Sequence, residues 1–120
     1  MTINSQDIIK YAYKLWTQRN CTEVELREVE LRNIINRCYY GAFLTARDIA
    51  GIDNKSASVH REVIDFFSKS PKNPRIGNNL VALKKLRHKA DYEPDANINS
   101  NDTKSCLTRA KKILEDLNNN

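Results

Sequence analysis

Between Glu23 and Ala50 the chain runs for twenty-eight residues without a proline and with a single glycine, Gly41. Val24, Leu31, Ile34, Ile35, Cys38, Ala42 and Ala46 hold a three- and four-residue period through most of that stretch, which is helical spacing and not strand spacing. The segment NRCYYGAFLTARDIAG, Asn36 to Gly51, is apolar on more than one side. A helix of that character belongs in the middle of a fold, with neighbours around it. Gly41 costs about 1 kcal/mol against alanine inside a helix, so it predicts the close approach of another helix. Gly51 is placed to close the helix as a C-terminal cap.

The remaining segments repeat the pattern. With three glycines and three prolines in 120 residues, there are too few turn formers for a hairpin-rich β-protein. A first helix is predicted from about Ser5 to Arg19, with Ile8, Ile9, Ala12, Leu15 and Trp16 on one stripe and Asn4 or Ser5 as its cap. A third is predicted from about Ser58 to Lys69, carrying Val59, Val63, Phe66 and Phe67. SKSPKNPRIGNN then reads as a loop, made basic by Lys69, Lys72 and Arg75. A fourth helix is expected from Asn79 to Tyr92, with Leu80, Leu83, Leu86 and Ala90 inward and a stop before Pro94. A fifth runs from about Asp102 to Leu117. The expected fold is all-α: one domain over residues 1–120, an antiparallel bundle of about five helices.

The net charge of +5 favours polyanionic partners, RNA, DNA or an acidic protein among them. Cys21, Cys38 and Cys106 show no metal-ligand spacing, and free thiols suit a reducing compartment. No segment has the apolar length of a membrane span or a secretory leader, so a cytoplasmic protein without membrane contact is expected. There is no Gly-rich phosphate loop, no local Ser/His/Asp signature and no carboxylate cluster suited to a metal. Neither a metal nor a cofactor is therefore expected.

Two segments carry a family resemblance. Asn36–Gly51 resembles the RxYYaxFxxAr signature of short stand-alone prokaryotic HEPN proteins (higher eukaryotes and prokaryotes nucleotide-binding). LKKLRHKADYEP, Leu83 to Pro94, resembles their LxxxRxxADY signature, and His60 stands where such proteins often carry a histidine. The order and spacing match over roughly residues 5–117. The resemblance implies a helical homodimer with a cleft at its interface. It also implies RNA as a partner, either for a metal-independent endoribonuclease of the toxin or phage-defence kind or for a degenerate relative. The alternatives are a non-catalytic module partnering a nucleotidyltransferase or other effector, and a nucleotide-binding bundle. One departure is plain: the family's ribonuclease signature is an arginine and a later histidine with four to six residues between them. Counting from Arg87, that window ends on Tyr92, Glu93 and Pro94.

The candidate residues follow from the chemistry. Metal-free RNA cleavage needs a base for the 2′-hydroxyl, an acid for the leaving oxygen and a cation on the phosphate. Arg87, His88 and Tyr92 are the catalytic candidates, although adjacent residues diverge by about 100° around a helix. Arg87 and Asp91 are four apart on one face and form either an intrahelical ion pair or a phosphate-directed arginine held by its aspartate. Arg37, a charge on an apolar helix, needs a carboxylate or a ligand, and Asp91 is its expected partner. His60 and Tyr40 complete the supporting set, the former capping or packing, the latter with Tyr39 in the core or a dimer interface.

Overall fold

The computed structural model describes residues 3–53, 57–71 and 73–119, so Lys72 lies outside the described residues. Among them are five helices and no strand: α1 (Ser5–Thr17), α2 (Val24–Ala50), α3 (Val59–Ser68), α4 (Pro74–Tyr92) and α5 (Ser100–Asn118). The buried residues form one cluster. α2 is its spine, touching each of the other four helices, while α4 fills the angle between α2, α3 and α5. No helix among the described residues is long and apolar enough to cross a membrane.

The glycines behave as their positions demand. A Cβ on Gly41 would lie 2.5 Å from the Ile9 side chain and 3.1 Å from its backbone nitrogen, so α1 is the helix that approaches there. Gly51 takes the left-handed conformation, φ 71°, and its amide donates to carbonyls of the last turn of α2. Asn4, not Ser5, caps α1, accepting from the Gln6 amide at 2.9 Å. The Ser5 hydroxyl instead meets the Thr45 hydroxyl at 2.8 Å.

One boundary is corrected. Helix α4 begins at Pro74, not Asn79. Proline at the first helical position has its φ preset and no amide to leave unpaired, so the segment resembling a loop is partly a helix start. Ile76 is fully buried and Gly77 lies against α3, where a Cβ would stand 2.7 Å from the Ser68 backbone nitrogen. Val24 is 70% exposed because α2 begins beyond the core, and Phe66 is 51% exposed while Phe67 turns inward.

The C-terminus of α4 is held by a side chain from another helix. Arg32 of α2 donates through Nη1 to the carbonyls of Lys89, Ala90 and Glu93, and through Nη2 to those of Pro94 and Ala96. These include carbonyls that a helix end leaves without partners. Nη2 also reaches Glu28 at 3.1 Å, and Glu28 accepts from the Ile98 amide at 2.8 Å. The Ile98 amide, then Arg32, holds the Glu28 carboxyl below its usual range.

Losing hydrogen bonds to a charged group costs about 1.5–3 kcal/mol when the carbonyls are left poorly solvated. Arg32→Ala should therefore lower the urea midpoint by an equivalent of about 3 kcal/mol. Arg32→Lys should recover only part of it, because an ammonium cannot fork across several carbonyls. An unchanged midpoint in the alanine variant would show that the cap is energetically idle.

Candidate functional site

Tyr39 is fully buried near the centre of α2, and its hydroxyl needs a partner. His60, in the first turn of α3, supplies one: the hydroxyl and Nδ1 stand 2.6 Å apart. The imidazole also stacks on Phe43 at 4.1 Å between ring centres and on Tyr39 at 5.6 Å. Burial lowers the His60 pKa, and the nearby charges of Lys84 and Arg87 lower it further. Burial pushes the Tyr39 hydroxyl well above its ordinary range, against the opposing pull of Arg87. The pair is therefore neutral near pH 7. A neutral hydroxyl can donate to Nδ1 or accept from it, so it follows either tautomer of the ring.

Arg87 of α4 stands beside this pair. Its guanidinium carbon is 5.8 Å from the centre of the Tyr39 ring, 5.7 Å from that of Tyr40 and 5.3 Å from that of Tyr92. These are cation–π distances. Nε donates to Asp91 Oδ2 at 2.9 Å, and Nη2 reaches the Tyr92 hydroxyl at 3.4 Å. The expected Arg87–Asp91 pair is present, with side chains 19% and 22% exposed. Asp91 is further held by Asn36, whose Nδ2 donates to the same Oδ2 at 2.8 Å. One carboxylate thus fixes the guanidinium from behind.

The other predicted residues divide. Arg37 is exposed, and Asn36 takes the Asp91 position expected for it, because one residue along α2 turns the side chain by about 100°. Tyr40 is 38% exposed at the margin and Tyr92 is 60% exposed, so the site has an open edge. Tyr39 and Tyr40 part company, one into the core and one to the surface. His88 diverges from Arg87 as adjacency requires. It lines a groove of about 510 Å³ between α3 and α4 with Ile64, Val81 and Lys84, tilted against Tyr92 at 5.3 Å.

Arg87 therefore shares its neighbourhood with His60, and His88 faces another groove. Sequence reasoning gave Tyr39 and Asn36 no role in the site. The signal for Tyr39 was its position, a phenol within the most apolar segment of the chain, which obliges some polar side chain to meet it. Among the described residues no group of three His, Cys, Asp or Glu side chains is arranged to hold a metal ion. The chain matches no protein-family model, no curated protein and no solved structure.

The lowered His60 pKa has a consequence for stability. The unfolded chain binds the His60 proton more tightly than the folded one, so below about pH 6.5 it carries more protons. Stability from this source is complete above that value and is lost as pH falls towards the lowered folded pKa. The wild-type melting temperature should fall more steeply between about pH 7.5 and pH 5 than that of His60→Gln. Parallel melting curves would contradict the assignment.

Proposed function

We propose that this chain is a HEPN-type homodimeric protein that acts on RNA, with Arg87 and His60 at the centre of its site. The observation carrying the proposal is the placement of a fixed guanidinium and a neutral imidazole around one buried tyrosine, beside an open edge. Arg87 spends Nε on Asp91 and turns Nη2 towards Tyr92, and Nη1 has no hydrogen-bond partner among the described residues. A phosphate oxygen fits that donor edge. Its negative charge would offset the repulsion that Lys84 and Arg87 exert on His60 and raise the imidazole pKa towards neutrality. Binding and proton transfer would thus be coupled.

In this reading the 2′-oxygen attacks the neighbouring phosphorus and the bond to the 5′-oxygen breaks. The products are a 2′,3′-cyclic phosphate and a free 5′-hydroxyl. His60 takes the 2′-proton, and Arg87 balances the charge that accumulates on the phosphoryl oxygens. In a homodimer the second copy's His60, protonated once the bound phosphate raises its pKa, gives its proton to the leaving 5′-oxygen, and the proton taken from the 2′-hydroxyl restores the charged imidazolium for the next turnover. The two sequence signatures of the HEPN resemblance support the reading, since their tyrosines, arginine and aspartate meet in this one place.

A second reading, a non-catalytic module that holds a protein partner, is favoured by the α3/α4 groove. Its lining joins apolar Ile64 and Val81 to Lys84, Lys85 and Lys89.

The deciding experiment incubates purified protein with mixed RNA, maps the product ends and determines the solution mass. Cleavage leaving cyclic-phosphate ends is expected from a dimer. Arg87→Ala should lose about 10²–10³-fold in rate, and His60→Ala about 10²–10⁴-fold, with a smaller loss for His88→Ala. Cleavage that survives both of the first two substitutions would remove the proposed site. A protein that neither binds nor cleaves RNA would leave the partner-binding reading in its place.

A further inference from the structure

Part of the remaining positive charge gathers on one face of α5. Along α5, Asn101, Lys104, Ser105, Thr108 and Lys112 recur at three- and four-residue steps on one face, while Thr103, Cys106, Leu107, Ala110, Ile113 and Leu117 face the core. The polar face borders a groove of about 430 Å³ between α5 and α4, which Arg109 and Asn79 also line. No acidic side chain lines it. Arg109 donates through Nη1 to Asn79 Oδ1 at 2.8 Å, so its guanidinium is anchored across the groove without losing its charge. Arg32, Arg47, Arg75 and Arg87 each pair with a carboxylate. Among the described residues Lys104, Arg109 and Lys112 form no ion pair.

We propose that this α4/α5 groove is a second anion site, separate from Arg87 and His60, along which the phosphate backbone of an RNA strand runs. The choice of an RNA strand rests on the function proposed above; the cationic character of the groove does not. Lys104 and Lys112 are eight residues apart, about 12 Å along the helix at 1.5 Å per residue, with Arg109 between them. A row of that length suits successive phosphates of a chain better than one compact anion. Three cations free of carboxylates give up no existing pairing when they bind. The site reads no bases: its contacts are to phosphates, so they position a strand and do not select its sequence.

The test is a set of anisotropy titrations of a labelled single-stranded RNA of about 20 nucleotides, from about 50 to 200 mM salt. The proteins are wild type, Lys104→Glu/Lys112→Glu, Lys104→Gln/Lys112→Gln and Arg87→Ala. Removing two phosphate contacts should flatten the slope of log affinity against log salt by about 1.4. Affinity at the lower salt should fall at least about tenfold, alike for strands of different sequence. The glutamine pair should show the same change of slope, which separates lost contacts from introduced repulsion. Affinity and slope unchanged in both lysine pairs, with Arg87→Ala weakened, would overturn the groove and leave the RNA reading standing. No RNA binding by the wild type would overturn the RNA-strand assignment of the groove and the RNA reading together. If inorganic tripolyphosphate raises the melting temperature of the wild type alone and RNA does not bind, the groove holds a small polyphosphate and the RNA-strand assignment fails.

Discussion

Every other helix in this protein leans on α2, and α2 can serve as the spine because the polar groups it carries inward find partners. The Tyr39 hydroxyl meets His60, and the Thr45 hydroxyl meets both Ser5 and the Gly41 carbonyl. Arg32 spreads its guanidinium over the end of α4. A buried hydroxyl or charge without a partner costs several times what a typical hydrogen bond contributes. Each of these contacts therefore decides where a neighbouring helix stands. α3 is tied at Tyr39, α1 at Thr45 and Gly41, and α4 at Arg32.

The candidate site grows out of that constraint. Because His60 must reach Tyr39, α3 brings an imidazole to the same tyrosine that Arg87 approaches from α4. Because Arg32 fixes the last turn of α4, Asp91 is positioned to hold Arg87 by Nε, and Asn36 adds a second hold on the same oxygen. The electrostatics are then set by packing. A half-buried imidazole beside two cations stays neutral, whereas a phenol deprived of water keeps its proton. The thiols contribute nothing comparable. Cys38 and Cys106 are buried, Cys106 Sγ donates to the Ile35 carbonyl at 3.8 Å, and the neighbouring Cys38 side chain together with burial pushes the Cys106 thiol up, so it stays protonated.

The net charge of +5 gains meaning once it is distributed. Part of it is neutralised locally, as at Arg32, Arg75 and Arg87. Part gathers along the α3/α4 groove and the α5 face. The first kind builds the fold, and the second faces solvent and is available to a ligand. A count of lysines and arginines cannot separate them, because the difference lies in which carboxylates the fold brings near.

Local spacing settled much of this protein. The apolar period along α2, the cap at Gly51, the close approach at Gly41 and the Arg87–Asp91 pair all follow from residues within a few positions of one another, where helix geometry alone fixes distance. The start of α4 at Pro74 was hidden because proline and asparagine signal a loop and a helix start equally well. The buried Ile76 decides between them only when α4 packs. Tertiary structure alone decided that Tyr39 meets His60 across 21 positions, that Asn36 and not Arg37 reaches Asp91 across 55, and that Arg32 caps a helix 57 and more residues away. Those partners are chosen by the rotation and crossing of whole helices, and no period in the chain encodes them. The residues at the centre of the site were readable one by one, but their meeting was not.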